Sequence, residues 1–153
     1  MDSEMLLPLI VRWLHIVSAV FAVGGVLFYY FIFMAVSAKA LSEEVATTLR
    51  SALMKRWKPF LHPTIIIFLA TGFYTYLKVT KDLHDEQPLY HALFGVKFLL
   101  AIVVFALFII LTSTMKWSVN IRDKKGMWLL LVVLALAVVL LGGVMRTLPH
   151  SIA

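Results

Sequence analysis

The chain predicts an all-α integral membrane protein: a four-helix bundle in up-down-up-down order, with an amphipathic connecting helix between the first two spans. Three observations carry this. Hydrophobic residues make up 62% of the 153 residues and charged residues 14%, whereas soluble domains run at roughly 45–50% apolar and about 25% charged. The apolar residues gather in four runs, each long enough for the about 20 helical residues that cross a ~30 Å hydrocarbon core. The formal charge of +6 sits mostly between those runs, which is the signature of membrane orientation and not of a DNA-binding face. A water-soluble fold would leave large apolar patches exposed. The lipid bilayer is therefore the expected surrounding, and nucleic acid is not an expected partner.

The first span runs from about Met5 to Ala38 (5–38), long enough to tilt or to project beyond the bilayer. The acidic start Met1-Asp2-Ser3-Glu4 lacks the basic n-region of a signal peptide, and no A-x-A pattern closes the run, so it reads as a retained helix. Between the first two spans, Ser42 is a plausible N-cap. Glu43 and Glu44 on the first turn and Lys55, Arg56 and Lys58 on the last complement the helix dipole. Val45, Leu49, Leu53 and Trp57 recur at helical spacing. This segment either lies on the membrane surface or extends the spanning helices beyond it. The second span covers about 59–79 and opens with Pro59 and Pro63, which a first turn tolerates. The third covers about 89–117 and the fourth about 126–148. Short loops favour antiparallel neighbours. No repeat or low-complexity tract divides the chain, so residues 1–153 form one domain.

Loop charge sets the expected orientation. Lys39, Arg50, Lys55, Arg56 and Lys58 lie between spans one and two, and Lys116, Arg122, Lys124 and Lys125 between three and four. The loop between two and three mixes Lys78 and Lys81 with Asp82, Asp85 and Glu86. The positive-inside rule puts both termini outside the cytoplasm; the expected location is a bacterial inner (plasma) membrane.

The absence of cysteine excludes disulfides, Cys-held iron–sulfur clusters, thiolate zinc sites and c-type haem attachment. The informative residues are then the polar ones inside apolar runs, where each is costly. They are Arg12 and His15 in span one, His62 at the start of span two, His91 and Lys97 in span three, and Arg146 in span four. The expected up-down order brings Arg12, His15, His91, Lys97, Met145 and Arg146 to one half of the membrane and leaves His62 near the other face. No Asp or Glu lies inside a span, so the cations either snorkel to lipid phosphates or hold a bound anion. A b-type haem meets both needs: its iron takes imidazole and its propionates take cations. His15, Ser18, Ala22, Gly25 and Tyr29 share one helix face, which serves either as a haem wall or as a helix-packing seam. His15 pairs in depth with His91 or Met145. It does not pair with His62, roughly ten or more residues of rise away. His91 reads either as a second axial ligand or as an interfacial residue, and His62 either as holding a second cofactor or as a polar residue at a helix end. The seven methionines form no M-x-x-M or M-x-M cluster, so the Cu(I) signal is weak.

Three segments also carry a family resemblance. Trp13-Leu14-His15 through Gly24-Gly25, Lys55-Arg56-Trp57-Lys58-Pro59-Phe60-Leu61-His62-Pro63, and Gly95-Val96-Lys97-Phe98-Leu99-Leu100 resemble the copper-resistance protein D and HemJ-type protoporphyrinogen oxidase group. The resemblance implies a compact four-helix membrane protein that binds haem b through His15, with Lys97 functionally important and redox work on a porphyrin-like substrate. The chain departs from that pattern at His62-Pro63 and in lacking a histidine late in span three.

The leading expectation is a membrane-embedded haem b redox protein, an electron-transfer protein or a small oxidoreductase linked to quinone or porphyrinogen. In it His15 and His91 are the candidate axial ligands, and Lys97 and Arg146 hold the propionates. The alternatives are a copper or other metal-transport protein and a non-catalytic subunit of a larger membrane complex. A homo-oligomer is compatible with each.

Overall fold

The computed structural model describes residues 3–80, 87–113, 115, 121–122 and 124–148. The loop charges Lys81, Asp82, Asp85, Glu86 and Lys116 lie outside the described residues.

The first span is α1 (Ser3–Leu27), a π turn (Phe28–Phe33) and α2 (Met34–Ala40), joined without a break because Leu27, Phe33 and Met34 all keep right-handed helical backbone. Leu41 and Ser42 then turn extended, and α3 (Glu43–Thr75) starts back. Ser42 holds the N-cap position, but its side chain makes no capping hydrogen bond. A second π turn (Tyr76–Thr80) prolongs α3. The remaining spans are α4 (Pro88–Thr112), with proline in its first turn, and α5 (Lys125–Thr147). All four rods are long and apolar enough to cross a membrane.

Two expected boundaries move. Of the two readings of residues 43–58, the structure takes the second: they extend the spanning helix and form the first part of the rod that makes the second span. Packing explains this: Met54 is fully buried and Trp57 lies against Gly25, so the segment is anchored to span one instead of lipid. Pro59 and Pro63 therefore stand inside α3. Each removes a backbone donor, which a spanning helix tolerates where side chains help satisfy the local carbonyls. The carbonyls that lose a helical donor are those of Lys55 and Pro59; on the neighbouring positions His62 Nδ1 donates to the Lys58 carbonyl at 3.0 Å and Thr64 Oγ1 to the Phe60 carbonyl at 2.7 Å. At the other boundary, α4 ends at Thr112 and Ser113 takes extended backbone, short of the expected Trp117. Thr112 already turns its hydroxyl back onto the Phe108 carbonyl at 2.8 Å.

In the first two rods the stretches Leu6–Ala40 and Glu43–Lys78, 35 and 36 residues long, reach about 50 Å at ~1.5 Å per residue, well beyond a ~30 Å core. They form a hairpin closed at residues 41–42. Along the bundle α1 lies against α3 and α4 against α5, with α1 and its π turn also touching α5.

The interior is filled unevenly. Around the π turn of span one, Tyr29, Met54, Leu61, Leu111, Trp128 and Leu131 are fully buried. Tyr29 meets Trp128 with ring centroids 4.0 Å apart, and Trp57 meets Phe108 edge-on at 5.3 Å. The Trp128 indole donates to the Arg122 carbonyl at 2.8 Å, giving the polar end of that ring a partner inside the core. Large rings occupy this half of the bundle. The half nearer the chain ends is hollow.

Candidate functional site

A cavity of about 640 Å³ lies among all four spans, beside the start of α1 and the end of α5. That is within the ~300–1,000 Å³ of cofactor and small-molecule sites. Room is left by small residues on three of its walls, Gly72 on α3, Ala101 on α4 and Gly142 on α5, and Arg12, Lys97 and Arg146 stand around the same space.

His15 comes from α1 and is held from two sides. Its ring stacks on Phe68 with centroids 4.2 Å apart. It also crosses Gly72 so closely that a Cβ there would lie 3.0 Å from the ring. Its Nδ1 is 3.0 Å from the Phe68 carbonyl oxygen and 3.0 Å from Thr71 Oγ1. A carbonyl oxygen only accepts, so Nδ1 carries the proton and donates. Thr71 is free to accept because its own hydroxyl donates to the Ile67 carbonyl at 2.5 Å. In the neutral ring Nε2 then holds the lone pair, and among the described residues it has no hydrogen-bond partner. Fixing one ring nitrogen so that the other can ligate is the usual outer-shell arrangement of a metal-binding imidazole.

Lys97 reaches the same cavity from α4. It passes so near α5 that a Cβ on Gly142 would be 3.0 Å from Nζ. Arg12 and Arg146 are exposed residues of the same lining. The lining holds three cations and no carboxylate, and among the described residues none of the three is ion-paired. Three positive groups around a largely apolar space favour an anion with an apolar body. Met145, nearly buried, adds a thioether.

Of the residues singled out in the sequence, the structure brings Arg12, His15, Lys97, Met145 and Arg146 together. His91 is not part of the lining: its Nδ1 is bonded to the Tyr76 hydroxyl at 2.8 Å, and Tyr76 itself faces the cavity. Tyr76 in turn stacks flat on Phe94, with centroids 3.7 Å apart. His62 is exposed, away from the cavity, and bonded within its own helix. Among the described residues no three His, Asp or Glu side chains cluster as metal ligands. A bare ion such as zinc needs about four donors, which the described residues do not assemble.

The sequence reasoning passed over Phe68, Thr71, Tyr76 and Gly142 and gave Gly72 no site role. One signal was available: Thr71-Gly72 interrupts an otherwise apolar run with a hydroxyl and a missing side chain. Gly142 has no such signal until Lys97 is known to lie across it.

Residues 9–86 match the family model described as "Predicted integral membrane protein (DUF2269)". That stretch carries His15, Phe68, Thr71, Gly72 and Tyr76 and stops before Lys97 and Arg146. No curated protein and no solved structure matches the chain.

Proposed function

The chain belongs to the DUF2269 family of predicted integral membrane proteins, and we propose that in the bilayer it is a b-type haem redox protein whose cofactor occupies the cavity between the four spans. The observation that carries this reading is one lining that joins an oriented histidine, His15, to three cations with no acid among them. The resemblance of the His15 and Lys97 segments to the copper-resistance D and HemJ-type group supports the same reading.

In this reading His15 would hold the haem through Nε2, with Phe68 and Thr71 keeping its ring in place. Lys97, Arg12 and Arg146 hold the propionates. Phe68, Phe94 and Phe98 wall the apolar face, and Gly72 and Gly142 keep backbone out of the space. Met145 would be a better second donor than His91, because it lines the cavity and His91 does not. When bound, the haem supplies one-electron chemistry, and the protein supplies ligation, electrostatics and exclusion of water. The redox partner is a membrane-dissolved quinone or a porphyrin-type substrate.

Protein purified in detergent after haem-replete expression is expected to show a Soret band and a reducible α-band. Both should be lost or shifted in His15→Ala and unchanged in His62→Ala. Colourless wild-type protein would overturn the reading.

A further inference from the structure

The seams between neighbouring spans are not alike. Close backbone packing joins α1 to α3 and α4 to α5, but α3 and α4 approach each other at the backbone over only a short stretch. Aromatic pairs bridge the rest. Trp57 meets Phe108 at 5.3 Å and Phe68 meets Phe105 at 5.3 Å deep in the bundle, while Phe73 meets Phe98 at 6.0 Å and Tyr76 meets Phe94 at 3.7 Å beside the cavity. At the cavity this wall is made of side chains. Phe98, Phe94 and Tyr76 line the cavity, and Phe73, their neighbour on the other side, is 46% exposed on the outer surface of the bundle. On α4 the lining residues Phe94, Lys97, Phe98 and Ala101 follow three- and four-residue steps and so share a face. The lysine stands between the two seam aromatics.

We propose that this aromatic seam between α3 and α4 is the lateral opening through which the cavity takes its ligand from the bilayer, so that the ligand is an anionic amphiphile already dissolved in lipid. The inference rests on the reading of the cavity as a haem site and adds where the haem comes from. An apolar ring system partitions into hydrocarbon, and its carboxylates travel at headgroup depth. Passing between α3 and α4 beside the cavity parts the ring pairs Phe73–Phe98 and Tyr76–Phe94. The carboxylates then meet Lys97 directly inside the opening. The seams α1–α3 and α4–α5 would have to break backbone-close packing to admit the same molecule.

The absence of cysteine from the chain makes the test clean. The double variant Phe73→Cys/Phe98→Cys is reconstituted in phosphatidylcholine vesicles, and one half is bridged with a short bis-maleimide. Haemin dissolved in the vesicle lipid is then offered to both, and growth of the Soret band is followed. The bridged protein is expected to load at least ten-fold more slowly than the unbridged. The single variant Phe73→Ala is expected to load faster than wild type, with an unchanged final spectrum. Equal rates for bridged and unbridged protein, or no effect of Phe73→Ala, would place the opening elsewhere, at the water-facing mouth beside Arg12 and Arg146. Wild-type protein that takes up no haemin would remove the haem reading itself, and the lateral route with it.

Discussion

Gly72 and Gly142 hold the two chemically distinctive side chains of the cavity in place. Each glycine lies where a side chain on its own helix would displace the residue crossing it, His15 in one case and Lys97 in the other. The two positions differ in what can yield. The His15 ring is pinned by Phe68, Thr71 and the stacking contact, whereas the end of Lys97 is a flexible chain. Lys97 therefore invites a charge test with little structural cost. If the cavity holds haem as proposed, Lys97→Met should remove one charge-assisted contact of about 1.5–3 kcal/mol, which is roughly ten- to 150-fold in haemin affinity. Lys97→Arg should retain most of it. Titration of haem-free protein with haemin measures both, and thermal stability without haemin should stay level. If Lys97→Met binds haemin as tightly as wild type, the lysine is a snorkelling cation and has no part in the site.

At the scale of elements, the stripe Ser18, Ala22, Gly25, Tyr29 is a packing seam. Ser18, Ala22 and Tyr29 are buried, and Gly25 faces Trp57 of α3 so closely that a methyl group would overlap its ring. Trp57 is itself flanked by Tyr29 and Phe108, so it cannot swing away without disturbing the aromatic core. Gly24, one residue earlier, faces open space. Gly25→Ala is thus expected to lose about 1–3 kcal/mol to overpacking, offset by up to about 1 kcal/mol of helix propensity. Gly24→Ala carries only the gain. Melting of the two variants in the same detergent separates the effects: Gly25→Ala should melt below wild type and Gly24→Ala at or above it. The same stripe shows why the sequence could be read only in part. Spacing places these residues on one face, but whether that face meets a ligand or a helix depends on the rotation of α1 against α3, which no periodicity reports. His15 sits on that face as well, yet a turn above the seam, where Gly72 leaves room. The prolines of α3 misled for a related reason. Their preference for a first turn is real, and it was outweighed by the burial of Met54 and Trp57 on the turns before them.

For the whole molecule, the division into a filled end and a hollow end decides which half of the membrane the cavity opens to. The four spans, and the gathering of Arg12, His15, Lys97, Met145 and Arg146 at one end, followed from alternating chain direction alone. The hollow followed from side-chain volumes on facing helices, a three-dimensional property. Orientation can be tested directly. The end opposite the cavity carries Lys39, Lys55, Arg56, Lys124 and Lys125 as exposed cations, so the positive-inside rule predicts that this end faces the cytoplasm. In the cysteine-free chain, Ser42→Cys and Lys124→Cys report that end, and Thr147→Cys reports the cavity end; all three positions are exposed. A membrane-impermeant maleimide added to intact cells should label Thr147→Cys alone and reach the other two only after lysis. If Ser42→Cys and Lys124→Cys are labelled first, the bundle is inverted. The aromatic seam would then open to the cytoplasmic leaflet, and the amphiphile would have to be drawn from the inner side of the membrane.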